Sequence, residues 1–387
     1  MAAMEPQRRA AQVHGFHRPM LVLNPRSGSA LAVREQLLAA AGRYGVQLHE
    51  AETPAELVAL ARTAVADGAD VLGVAGGDGS LAAVAAVAIE ADLPFVCVPA
   101  GTRNHFARDL GLDRADPTAA VEAFVAGPER RVDVASVGDR LFLNNASVGI
   151  YAALVHEPSY RDNQLGALSG VLESMLERDA LPVRVSFRDG AGNHWDQVLV
   201  LFVSNNAYPL TGLGGRPRLD AGMLEVSALR RTEGQELGRA LENLVYSRYQ
   251  AGHGWARWAT TRLEVDAPGG RLAVGIDGEP AVLDTPIEFR IHAGALRVLL
   301  PPDRASGQPS RSKSPAPRRR VLAIASTPEG RIEQIMGLVR LGRLLGRVGE
   351  REFGPERDER GRPPAPRRRH GPDGTGASTP PGERPEP

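Results

Sequence analysis

The 387-residue chain is 42% hydrophobic, enough to fill two cores, and its 46 basic residues balance 46 acidic ones, so no net charge recruits a nucleic acid. Its only lysine, Lys313, lies in a Pro/Ser/Arg-rich stretch; this excludes a P-loop, a protein-kinase lysine and a Schiff base, and leaves arginine, backbone amides or a metal to meet an anionic substrate. Cys97, the only cysteine, excludes disulfides and cysteine-based zinc, and inside PFVCVPA it reads as core packing in a reducing compartment.

Residues 1–17 are basic, lack the apolar stretch of a signal peptide and read as a flexible N-terminus; no run approaches the ~18 apolar residues of a membrane span. The protein is therefore expected to begin and stay cytoplasmic. Over 18–135 the pattern is α/β. The apolar strand in PMLVLNPRSG leads through a Pro/Gly/Ser turn to ALAVREQLLAAAGRYG, whose apolar positions recur at helical spacing before a glycine stop. The succession returns in ADVLGVAGGDGSLAAVAAVAIEA, and a third strand, PFVCVPAG, feeds VPAGTRNHFARDLGL. Strands alternating with helices predict a parallel sheet. Ligands then sit at the carboxyl ends of its strands, where the loops 24–29, 76–80 and 100–105 all fall.

From 136 to 292 the texture is alternating and β-branched, in RLFLNNASVGI, LPVRVSFRD, DQVLVLFVSNN, MLEVSAL, TRLEVDA, RLAVGIDGEPAVL and the start of PIEFRIHAGALRVLLP. This predicts a β-rich, mainly antiparallel domain with one helical passage near EGQELGRALENLVYSRYQ. Trp255 and Trp258 in GWARW suit a core better than the border of an acyl chain, and His156 and His253 lack metal-ligand spacing. Residues 303–387 are rich in Pro, Arg, Gly, Ser and Glu and are expected to be disordered, apart from a basic amphipathic helix at about 329–349. That helix suits either anionic lipid or docking on its own domain.

The loops carry the chemistry. In GGDGS, Gly76, Gly77 and Gly79 permit close backbone approach while the free amides at a helix start face outward, which is a phosphate cradle; a tight strand-to-helix turn is the plainer alternative. Ser80 can cap that helix, and Asp78 makes sense beside phosphate only if it holds a donor or a metal, such as the magnesium of Mg-ATP. Asn24, Pro25, Ser27 and Gly28 in NPRSG, with Thr102 and Asn104 in PAGTRNHFAR, offer small hydrogen-bonding groups suited to a nucleotide, though each loop alone is also ordinary turn chemistry.

LVLNPRSG, VAGGDGSLAAV and VPAGTRNHFARDLGL, in this order and at these separations, resemble the diacylglycerol kinase catalytic-domain family, which includes bacterial soluble lipid kinases and sphingosine kinases. The resemblance extends through LNNASVGIYAALV, RPRLDAGMLEV and GIDGEP, covering roughly residues 18 to 302. It implies an N-terminal nucleotide-binding domain like that of NAD kinase and phosphofructokinase, a β-rich lipid-substrate domain, ATP in the cleft between them, and a final strand near 293–302 that returns to the first domain. NAD kinases share a GGDGT-like loop, but the asparagine and phenylalanine after PAGT point to lipid kinases.

A lipid hydroxyl needs a proton acceptor. The resemblance places the general base and its partner at Asp277 and Glu279, while the spacing alone allows Asp277-Gly278 to be a hairpin turn with Glu279 facing water. Without lysine, phosphoryl transfer would rest on Mg²⁺ carried with ATP, on the glycine-loop amides and on Arg103 or Arg108, although Arg108 is as well explained by an acidic partner.

Two positions depart from the family. Relatives carry an acid where this chain has His105, and a second acid where it has Ala221 beside the retained Asp220. Both changes remove oxygen ligands from a family metal network, so the structural magnesium is expected to be absent. His105 could donate to Asp78 or Asp220 and replace the metal's charge, or simply fill space. The reading is an ATP-dependent lipid kinase, most simply converting diacylglycerol to phosphatidic acid, peripheral at the inner membrane face and not a nucleic-acid binder; a homodimer stays open. Sphingoid base, phosphatidylglycerol or NAD as acceptor, or a nucleotide- or lipid-binding protein that has lost catalysis, are the alternatives.

Overall fold

The strand β1 (Pro19–Leu23) lies between β2 (Gln47–Glu50) and β3 (Val71–Gly76), and β3 pairs with β4 (Phe95–Pro99), all in parallel. A computed structural model describes residues 14–149, 152, 185–190, 192, 194–208, 216–230, 255–267 and 269–302. Both faces of this sheet are covered, which is why its strands read as unbroken apolar runs. Met20, Val22, Leu72 and Val74 pack with Leu57 and Ala61 of α2 (Pro54–Ala66) and with Leu81 and Val84 of α3 (Asp78–Glu90). Leu21, Leu23, Val96 and Val98 face the other way, toward Leu37 and Ala41 of α1 (Arg34–Arg43) and Phe124 of a 3-10 helix, Pro117–Phe124.

Two elements escape the sequence reading. β2 is four residues of QLHE, polar and largely exposed at the sheet edge, so it carries no apolar signal. α2 begins at a complete capping box: Thr53 accepts from the Glu56 amide, and the Glu56 carboxylate accepts from the Thr53 amide. α1 starts at Arg34, later than its periodicity suggests, because the Ser29 amide donates to the carbonyl of Ala100 at 3.0 Å and holds the preceding turn against a neighbouring loop.

The remaining strands pair antiparallel around a second core of Phe142, Val148, Phe187, Val203, Val226, Leu263, Val274 and Phe289. They are β5 (Glu129–Val137), β6 (Arg140–Phe142), β7 (Asn145–Gly149), β8 (Val185–Asp189), β9 (His194–Asn205), β10 (Leu224–Arg230), β11 (Trp255–Thr260), β12 (Arg262–Asp266), β13 (Arg271–Ile276) and β14 (Glu279–Asp284). β15 (Ile287–Leu299) joins the halves. It pairs antiparallel with β12 and β5, then parallel with β4 through Val298 and Leu299. The architecture is thus an N-terminal α/β unit on a parallel sheet followed by an antiparallel β unit, as the sequence implied. Trp258 stacks on Phe187 with ring centroids 5.1 Å apart, the core role expected of GWARW. The expected helix near 233–250, the 329–349 helix, His156, His253 and the first thirteen residues lie outside the described residues.

Candidate functional site

Three loops meet at the carboxyl ends of β1, β3 and β4. A Cβ on Gly101 would lie 2.3 Å from Gly77 Cα, and one on Gly28, whose φ is +46°, would lie 2.5 Å from the carbonyl carbon of Gly101. Glycine at these positions lets the three backbones touch. Ser27 Oγ stands 3.5 Å from the Cβ that Gly76 lacks, so the NPRSG turn also reaches the GGDGS loop.

The polar side chains of these loops are partly spent on the loops themselves. Asn24 Nδ2 donates to Ser80 Oγ at 2.9 Å, and Asn24 Oδ1 accepts from the Arg26 amide. Asn104, buried and with φ +49°, closes its own turn by accepting from the Gly101 amide and donating to the Gly101 carbonyl. Pro25 fills the turn between Asn24 and Arg26, and Thr102 remains exposed. Ser80 corrects an expectation: Gly77 is the N-cap of α3, with no side-chain cap, and Ser80 lies inside the first turn as the acceptor for Asn24.

Asp78 opens α3, and its two carboxylate oxygens accept from the amides of His105 (3.0 Å) and Phe106 (3.1 Å), at the start of the short helix α4 (His105–Asp109). Phe106 and Leu110 are buried in the core beneath. The contact between His105 and Asp78 is made by the backbone amide. Burial pushes the pKa of the His105 imidazole below the ordinary value, against the opposing pull of the Asp78 charge. Asp220 Oδ1 accepts from Arg218 Nε at 3.1 Å, and Arg108 pairs with the neighbouring Asp109 at 3.3 Å.

Asp277 and Gly278 form the two-residue turn between β13 and β14, with φ of +49° and +86°, the mirror-image turn that suits a hairpin. The hairpin that the Asp-Gly spacing allowed is thus present. The turn aims the Asp277 carboxylate at a row of amides: Oδ2 accepts from Leu143 at 2.8 Å, and Oδ1 from Asn144 at 2.8 Å and Asn145 at 3.0 Å. Burial outweighs those amides and, with the charge of Asp78, raises its pKa to about 6. The turn also carries Glu279 over the glycine loop, its Cγ 3.7 Å from where a Gly79 Cβ would stand.

Sequence reasoning missed Arg216. This buried guanidinium donates from Nε to Asp109 at 2.6 Å, from one terminal nitrogen to the carbonyls of Leu143 and Asn205 at 2.7 Å each, and from the other to Asn144 Oδ1 at 3.3 Å. It also lies 5.3 Å from the centre of the Tyr208 ring. Its partners are scattered along the chain, so no local pattern announces it.

At the position where the family resemblance places a magnesium ligand, the Asp220 carboxylate accepts from Arg218 and the next residue is Ala221; no group of three or more His, Cys, Asp or Glu that could hold a metal occurs among the described residues. No helix among the described residues is long and apolar enough to cross a membrane.

The profile of the Diacylglycerol kinase catalytic domain family matches residues 18–137, which include all three glycine-containing loops. The chain is 33% identical to a probable lipid kinase, YegS-like, of Pseudomonas fluorescens, over 63% of this chain and 82% of that one. It is 26% identical to a diacylglycerol kinase of Bacillus subtilis, over 55% and 74% respectively. Among solved structures, a diacylglycerol kinase of Bacillus anthracis superposes with a TM-score of 0.54 at 17% identity, covering 75% of this chain and 99% of that one, a likeness of fold. Taken with the identity to the Pseudomonas protein across most of its length, these matches establish that the chain belongs to the diacylglycerol kinase catalytic domain family of lipid kinases.

Proposed function

We propose that the protein transfers the γ-phosphoryl group of ATP, supplied as its magnesium complex, to a lipid hydroxyl, most simply that of diacylglycerol, giving phosphatidic acid and ADP. The observation that carries this reading is the approach of the Asp277–Glu279 turn to the start of α3, which sets a carboxylate pair against a phosphate cradle. In this reading the amides opening α3, with Gly76, Gly77 and Gly79, hold the phosphates; Ser27, Gly28 and Thr102 line the nucleotide side; and Arg103, exposed beside them, supplies charge that lysine supplies elsewhere.

The lipid oxygen attacks the γ-phosphorus as the bond to the β-bridging oxygen breaks, and the hydroxyl proton passes to Asp277. Oδ1 already accepts two amide hydrogens, whereas Oδ2 accepts one and keeps a lone pair for the incoming proton. Three amides fix the carboxylate while burial keeps its pKa close enough to neutrality for it to act as a base. Contact with the membrane is transient and peripheral, from the cytoplasmic side.

Labelled ATP offered with a panel of diacylglycerol, sphingoid base and phosphatidylglycerol in mixed micelles tests this directly. Label in phosphatidic acid supports the reading, and tight ATP binding without label in any lipid would sink it.

A further inference from the structure

Arg216 does not touch Asp277, yet a single peptide group links the two. The peptide group joining Leu143 to Asn144 is held from both sides: its carbonyl accepts from the Arg216 guanidinium at 2.7 Å, and its N–H donates to Asp277 Oδ1 at 2.8 Å. Asn205 Nδ2 supports the same carbonyl at 3.0 Å, and Arg216 grips the Asn144 side chain as well. A cation on a carbonyl oxygen draws electrons through the peptide and strengthens its N–H as a donor, an effect that grows in a buried site.

We propose that Arg216 is a positioning residue that clamps and polarises the Leu143–Asn144 peptide, and so orients the Asp277 carboxylate and holds it in the ionised, proton-accepting form. The inference rests on the proposed role of Asp277.

The clamp also has an anchor in the other half of the molecule. Asp109, which takes Arg216 Nε and the Arg216 amide, ends α4, and α4 begins on the Asp78 carboxylate at the glycine loop. One hydrogen-bonded path therefore runs from the phosphate cradle through α4, Asp109, Arg216 and one peptide group to the base.

Other ionisable groups also face Asp277. Asp78 at the start of α3 opposes its ionisation, Glu279 stands on its own hairpin, and Tyr208, following β9, is a neutral phenol whose own pKa burial raises to about 12. Tyr208 also lies under the Arg216 guanidinium, so the Arg216 variants made in a Tyr208→Phe background, which keeps the ring and removes the hydroxyl, separate its contribution from that of the clamp.

The test uses the full chain with carboxyl-labelled aspartate, the Asp277 resonance being assigned by its loss in Asp277→Asn. In the double variant Asp109→Asn, Arg216→Met, which leaves no lone buried charge, the titration midpoint of Asp277 is expected to rise by about one pH unit. kcat should fall with the KM for ATP little changed, and the acid limb of the rate profile should move up with the NMR midpoint. Arg216→Lys keeps a cation opposite Asp109 but loses the planar fork, and should shift both in the same direction by less. An unmoved midpoint in Arg216→Lys, or in a double variant that still melts cooperatively, reduces Arg216 to a structural pair and overturns the proposal. The NMR midpoint is read whether or not Asp277 is the base: turnover retained in Asp277→Asn defeats the base assignment, whereas an unmoved midpoint defeats the clamp alone.

Discussion

The two sides of the candidate cleft are built by opposite means. On the nucleotide side, backbone packs on backbone, with Gly28 against Gly101 and Gly101 against Gly77 so closely that a methyl group on Gly28 or Gly101 would not fit. On the acceptor side, a buried ion pair and a row of amides hold one carboxylate. Steric closure depends on what is missing from a side chain and tolerates no addition; polar closure depends on partners and tolerates no removal. Each side should therefore fail in its own way when altered.

Asp277→Asn should have the largest effect, lowering turnover about 10²–10⁴-fold while ATP binding by calorimetry stays nearly intact. Loss of ATP binding in that variant would mean that the two sides are not separable. Asp109→Ala strands the Arg216 charge in the interior and should lower stability by about 3–5 kcal/mol in urea unfolding, whereas Asp109→Asn combined with Arg216→Met should cost much less. Equal losses for the two would remove the argument that pairing, rather than volume, builds the acceptor side.

Gly101→Ala, placed against Gly77 Cα, should destabilise by about 3 kcal/mol and abolish ATP binding, while Gly79→Ala, with only an ordinary contact to Glu279, should leave stability nearly unchanged. The pH profile follows from the raised pKa of Asp277: the base form predominates above about 6, so kcat/KM should fall about tenfold per unit as pH drops below it. A limb near the ordinary carboxylate value would show that burial does not govern this group. Thr53→Ala, distant from both sides, should cost only about 1 kcal/mol through its lost cap and leave kinetics unaltered.

The same contrast explains what could be read in advance. Glycines at strand ends announce close approach because the constraint is local, and the Asp-Gly turn announces both the hairpin and the carboxylate that it aims. Arg216 was invisible because its worth lies in Asp109, Leu143 and Asn205, which only the fold assembles. Ser80 makes no cap because it lies inside the first turn of α3, where it accepts from Asn24 of another strand end, and at His105 the amide makes the contact with Asp78. β2 was missed for the reverse reason: a four-residue polar edge strand is defined by its neighbour β1, not by its own periodicity.

β15 carries a consequence for how the protein is made. Phe95 and Val96 of β4 find their partners at Val298 and Leu299, near the far end of the described chain. During synthesis the parallel sheet therefore waits with one flank unpaired until the whole antiparallel unit has emerged, a template open to any passing strand. A fragment ending near residue 137, at the limit of the family match, would keep that flank open permanently and should aggregate; the nucleotide half is contiguous in sequence but not in folding.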